Sequence, residues 1–287
     1  HKKHSYMINI FLKKTIENEI NLVDNVENIA GHFTTNLDSD EIVNFYDSFS
    51  IKYWTLDINV KKLTDNPNII SDPWMLFDTY NRNIEKFIPN YTSVPEKKFI
   101  CMIWKTQKDF RRKIYDFVNR ESFDCFCSSV DNNVELTEMP EHYPNGYYKD
   151  KERNYGVPKE YFKSFIDVVS ESYVEFSTHF SEKTYKPLLL KKVFLTYAGP
   201  YYYETLSEFG FELYDELFDY SFDKVEDKNE RLKLFFQQLE KVNEMTFDEV
   251  KYIIESINPK IVRNHERLKL VKSKFNELKT KANRFNV

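Results

Sequence analysis

The heptapeptide Ser181-Glu182-Lys183-Thr184-Tyr185-Lys186-Pro187 holds the residue types best suited to chemistry. Ser181 is a natural helix N-cap, and the first turn of the helix it opens leaves backbone N–H groups without intrahelical partners. Lys183 and Lys186, three apart, occupy neighbouring positions of that helix. N–H dipoles and ammonium groups together attract phosphate, so the segment predicts an anion site. The run Lys191-Lys192-Val193-Phe194-Leu195-Thr196-Tyr197-Ala198-Gly199-Pro200 then supplies a buried strand and a Gly-Pro turn, which sets the helix beside a sheet.

Other chemistries find less support. GxGxxG, P-loop, HExxH and GxSxG motifs are absent, and His1, His4, His32, His142, His179 and His265 lack metal-ligand spacing. Asp38-Ser39-Asp40 forms a DxD, a pattern that can hold a divalent metal against a diphosphate. It directly precedes Glu41, Ile42, Val43 and Phe45, so a helix cap with acids in the first turn explains it without metal. The expectation is a metal-independent site. Cys101, Cys125 and Cys127 are too few for a disulfide framework and lack the second pair a zinc site needs, which points to a reducing, cytoplasmic setting.

The elements that position these residues can be read from periodicity. Residues 1–95 mix helical patterns, as at Ile16 to Val26, with strand candidates at Tyr6 to Leu12 and Tyr53 to Ile58, which predicts an N-terminal α/β domain. The polar stretch Ile88 to Lys98, with Pro89 and Pro95, predicts a linker and a boundary near 95. A strand over Lys98 to Trp104, a helix over Phe110 to Val118, order resuming at Phe162 to Val169, a helix from Ser181, a strand over Lys192 to Tyr197 and a helix from Tyr202 through Phe209 fill residues 96–225. That alternation predicts a parallel sheet. Residues 131–158 read as a long surface excursion. Residues 226–287 are helical, with a stripe of Leu232, Phe235, Phe236, Leu239 and Val242, a capping box over Thr246 to Glu249, and Pro259 separating the last two helices.

Charge and composition narrow the function classes. The chain carries 41 basic and 46 acidic residues over 287, a net −5, which excludes a uniformly basic nucleic-acid binder. Within 260–285, however, nine Lys or Arg face only Glu266 and Glu277, leaving +7 there and −12 elsewhere. That basic helix either lies on the acidic body or contacts a polyanion such as DNA. No apolar run reaches the roughly 18 residues that span a bilayer, so no membrane span is expected.

SEKTYKP followed by KKVFLTYAGP and LSEFGFELYDELFDYSFD resembles a phage and large-virus family of glycosyltransferase-like proteins. The likeness covers about residues 96–225 and extends, more distantly, to the donor half of α-1,3-fucosyltransferases. It implies two Rossmann-like domains facing a cleft, in the GT-B manner, with C-terminal helices bracing both. By the same resemblance, Lys183 touches the diphosphate of a nucleotide sugar, Glu182 lies near its ribose or sugar, and Glu171 ends the upstream strand. Ser172 stands where a fucosyltransferase has asparagine, so GDP-fucose specificity is not implied. Lys105, Lys108 and Arg111 stand in for the family's arginine-rich turn, and Ser181 and Lys186 complete the donor site. The implied reaction is sugar transfer to a hydroxyl acceptor, a modified base in viral DNA or a surface glycan. It needs no cofactor besides the donor and takes place in the cytoplasm of a host cell. The alternative is a non-catalytic binding or host-takeover protein on a transferase-like fold.

Overall fold

A computed structural model of the chain describes residues 30–31, 53–55, 69–71, 94–103, 106–129, 157–171, 174 and 180–270. Strands β1 (Ala30–Gly31), β2 (Tyr53–Thr55) and β3 (Ile69–Ser71) form a parallel sheet in the order β1-β2-β3. The strand expected from Tyr53 is therefore present, ending at Thr55. The expected elements at Tyr6 to Leu12 and Ile16 to Val26 lie outside the described residues, as does most of the excursion over 131–158.

The second sheet is built from β4 (Lys97–Ile103), β5 (Cys125–Ser129), β6 (Ser164–Ser170) and β7 (Val193–Tyr197). All its pairings are parallel and the strand order is β5-β4-β6-β7. Parallel strands covered by helices on both faces read as near-continuous apolar runs. KKFICMI and VFLTY fit that rule, and every residue of β6 is buried. Helix α1 (Asp109–Val118) follows β4 and buries Ile114, Tyr115 and Val118. The short α2 (Lys159–Phe162) leads into β6, α3 (Glu182–Leu189) links β6 to β7, and α4 (Tyr202–Glu208) follows β7. Gly210 follows α4 at φ +83°, a left-handed conformation that favours glycine.

Helices α5 (Lys228–Glu244) and α6 (Phe247–Ser256) complete the same core. Leu232, Phe235, Leu239 and Val242 of the expected stripe are buried with Phe99, Ile166 and Leu195 of the sheet. Phe236 is half-buried and stacks on Phe117 of α1, with ring centroids 4.1 Å apart. The capping box is formed: the Thr246 N–H donates to Glu249 Oε2 at 2.7 Å, and the Glu249 N–H to Thr246 Oγ1 at 3.2 Å. The break before the last helix, α7 (258–270), falls at Ile257. Pro259 does not make that break. It sits in the first turn of α7, where its missing N–H has no intrahelical acceptor to serve.

The expectation of a mixed α/β chain with a parallel sheet in residues 96–225 is met. Residues 226–270 are not a separate appendage, because their apolar face belongs to the core of that sheet.

Candidate functional site

Strand order locates the site. From β4 the chain moves outward to β5 on one side, and from β6 it moves outward to β7 on the other. Neighbouring strands β4 and β6 therefore form a switch point, the position at which open α/β sheets generally hold a ligand, in the crevice between diverging connections. The loop after β4 and the first turn of α1 bring Lys108 and Arg111 to that edge, and the loop after β6 starts with Glu171 and leads to Ser181. Arg111 Nη2 spans the two sides, donating to the Glu171 carbonyl at 3.5 Å.

Glu171 is fully buried. Ser181 donates to it twice, from its N–H at 3.2 Å and from Oγ at 2.7 Å to Oε2. Thr184 Oγ1 donates to Oε1 at 2.9 Å, and since that hydroxyl has one proton, the Tyr202 hydroxyl donates in turn to Thr184 at 2.7 Å. Burial and the Glu171 charge push the Tyr202 phenol well above its ordinary range, which keeps it a donor. Lys183 Nζ lies 3.9 Å from Glu171 Oε2 and 3.4 Å from Ser181 Oγ. With 27% of its side chain exposed, Lys183 reaches the surface.

Ser181 is the N-cap of α3, accepting the Lys183 N–H at 3.2 Å, as its type predicts. The expectation that the first turn of α3 leaves its N–H groups to an outside anion needs correction. The buried Glu171 carboxylate takes the Ser181 N–H, the Ser181 hydroxyl takes that of Lys183, and the Ser181 carbonyl takes that of Thr184 at 3.0 Å. An internal carboxylate therefore sits beside the N-cap of α3, and the first-turn N–H groups of Lys183 and Thr184 are met by Ser181 itself. Glu171 thus orients Ser181 and Lys183 from the interior.

Lys186 does not join Lys183. It is buried, and its charge acts on Asp167 in the middle of β6. Burial raises the Asp167 carboxyl, while Lys186, Lys192 and the Tyr161 hydroxyl, which donates to Asp167 at 2.9 Å, hold it down. Lys192 closes this second cluster: its ammonium donates to the Tyr161 carbonyl, to the Ser164 carbonyl at 2.6 Å and to Ser164 Oγ at 2.8 Å. Burial pushes Lys192 down to about 7, opposed by Asp167. Three oxygen acceptors suit the charged form, so the cluster ties the α2–β6 turn to β7.

The Glu182 side chain and Lys105 lie outside the described residues, as do His32, Asp38 and Asp40. Among the described residues no group of His, Cys, Asp and Glu is arranged to hold a metal, and no helix is long and apolar enough to cross a membrane. The basic helix is described to residue 270. There Arg263 pairs with Glu212 in a fork, with Nη2–Oε2 at 2.8 Å, Lys260 pairs with Glu216 at 2.8 Å, and Arg267 donates to the Phe209 carbonyl at 2.6 Å. The first half of that helix therefore docks on the acidic body. Lys272, Lys274, Lys279, Lys281 and Arg284 lie beyond the described residues.

No sequence signal marks Thr184 as a partner of Glu171 or Tyr202 as a partner of Thr184, since 13 and 18 residues separate the members of each pair. Compared with known protein families, with curated proteins and with solved structures, the chain matches none.

Proposed function

We propose that the protein transfers a sugar from a nucleotide-sugar donor to a hydroxyl acceptor without a metal, using two Rossmann-like domains that face a cleft. The observation that carries this reading is the switch point of a parallel sheet, where Arg111, Ser181 and Lys183 gather around the buried Glu171. Departure of a nucleoside diphosphate builds negative charge on its oxygens, and preorganised cations and N–H groups at that edge stabilise it where water is excluded. Lys183 and Arg111 are the cations assigned to that role. The acceptor is a modified base in viral DNA or a surface glycan.

Thermal unfolding with a panel of nucleoside diphosphates and nucleotide sugars tests the reading. A ligand at 100 times its Kd adds about 2.7 kcal/mol of stability, a shift of several degrees. A shift with one nucleotide family, together with transfer that survives chelator, is the expected result. Activity lost in chelator and restored by manganese would transfer the diphosphate role to Asp38 and Asp40.

The internally filled N-terminus of α3 favours one second reading, a non-catalytic binding protein on a transferase-like fold. Absence of any shift across the panel selects it. The DNA acceptor has its own test, because charge reversal at Lys272, Lys274, Lys279 and Lys281 should weaken DNA binding and flatten its salt dependence while sparing donor affinity.

A further inference from the structure

We infer that the primary oxyanion contact of this crevice is the first turn of α1 together with Ser170, and that it binds a phosphate or diphosphate group. Two independent observations carry this. The N-cap of α1, Lys108, makes no side-chain capping hydrogen bond. Its carbonyl takes the Arg111 and Arg112 N–H groups at 2.9 and 3.1 Å, which leaves those of Asp109 and Phe110 with no partner among the described residues. Lys108 and Arg111 flank the same turn, 6.0 and 5.9 Å from the Phe110 ring centroid. The only acid of the turn, Asp109, is drawn along the helix to Lys113 at 2.7 Å.

The second observation lies beneath that turn. Ser170, the last residue of β6, is 7% exposed, and its hydroxyl has no hydrogen-bond partner among the described residues. It pairs in register with Tyr197 of β7, so the two side chains share one face of the sheet. Phe110 packs on that same face, its ring centroid 5.7 Å from that of Tyr197, so Ser170 and the first turn of α1 share one face at the carboxyl end of β6. A buried hydroxyl without a partner costs stability, and its persistence beside an open helix N-terminus fits a ligand oxygen that completes it. Helix N–H groups, two cations and a hydroxyl are the donor set that an oxyanion takes.

The inference rests on the proposed function only for the identity of the group attached to the phosphate. Titration calorimetry of the full chain with inorganic pyrophosphate, GDP and UDP tests it. Asp109→Pro removes one N–H at a position where helices accept proline, and Lys108, at φ −82° and ψ 127°, already has the backbone that precedes it. Asp109→Ala controls for the lost carboxylate. We expect Asp109→Pro and Ser170→Ala each to weaken pyrophosphate at least tenfold, Asp109→Ala to retain it, and Ser170→Ala to melt no lower than wild type. Wild-type affinity in Ser170→Ala, equal losses in the two Asp109 variants, or no binding to the unmodified chain at millimolar pyrophosphate would each overturn the inference. Should the proline variant fail to fold, Ser170→Ala decides alone. Pyrophosphate binding with no added affinity for GDP or UDP keeps this site and removes the nucleotide-sugar reading. Nucleotide binding indifferent to both substitutions does the reverse.

Discussion

At the scale of single residues, Lys183 and Glu171 divide the work between surface and interior. Lys183 is partly exposed and stands 3.9 Å from a carboxylate that three neighbouring donors already satisfy. Its loss leaves little unsatisfied, so Lys183→Ala should keep the melting temperature of wild type while transfer falls on the order of 10²–10³-fold, the usual effect of removing one preorganised donor. Near-normal turnover would sink the diphosphate assignment. A comparable drop in stability would instead make Lys183 a structural partner of Glu171. The opposite pattern is expected for Glu171→Ala, which strands the Ser181 and Thr184 donors in the interior at about 1–3 kcal/mol for each group left unsatisfied. Chemical denaturation of the two variants separates a surface role from a buried one.

At the scale of elements, the helices whose N-termini meet the carboxyl edge of the sheet are completed in different ways. Glu171 and Ser181 fill that of α3, and Asp223, buried on a 3₁₀ turn at Tyr220–Lys224, accepts the Tyr203 and Glu204 N–H groups of α4 at 3.0 Å each. Burial raises the Asp223 carboxyl to about 6 from an ordinary value of 3.8, against the pull of those N–H groups. A carboxyl whose pKa rises on folding holds its proton more tightly in the folded chain. Its contribution is therefore complete below 3.8 and is lost as pH rises through about 6. Asn at this position keeps an oxygen for the cap but has no proton to titrate. The stability of wild type relative to Asp223→Asn should thus decline between about pH 4 and 6, as urea midpoints across that range would reveal. A flat difference would mean that Asp223 titrates normally. Ser181→Ala, which removes the cap of α3 and one partner of Glu171, should cost at least the roughly 1 kcal/mol typical of a lost N-cap.

At the scale of the whole molecule, one buried arginine joins the loops that frame the site. Arg231 of α5 is 1% exposed and donates to the carbonyls of Val174, Ala198, Val225 and Glu226, the Ala198 bond at 3.1 Å and the Glu226 bond at 2.9 Å. Those carbonyls belong to the segments after β6, after β7 and before α5. Arg231→Met fills similar volume but withdraws every donor, and hydrogen bonds to a charged group contribute about 1.5–3 kcal/mol each. We expect a loss exceeding about 3 kcal/mol and a weakened near-UV aromatic signal. Because α5 and α6 bury their apolar faces in the sheet's own core, residues 96–270 should unfold in one transition. Two transitions, with the C-terminal helices melting first, would contradict that shared core.

Much of this architecture follows from local pattern. The apolar runs of β4 and β7, the Ser181 cap, the Thr246–Glu249 capping box and the stripe on α5 are legible because each depends on residues a few positions apart. The direction of the parallel sheet is legible too, since strands alternate with helices. What the sequence could not supply is which partner each polar group meets. Lys183 and Lys186 look equivalent three residues apart, yet the fold leaves one partly exposed beside Glu171 and buries the other near Asp167. At α3 the N-cap N–H and the Lys183 N–H are met from within, by Glu171 ten residues before Ser181 and by Ser181 itself, whereas the N-cap of α1 makes no side-chain cap. Strand order alone brings those segments to one edge. Strand order is a tertiary property, fixed when the apolar faces of distant strands and helices are buried together, and no local periodicity encodes it.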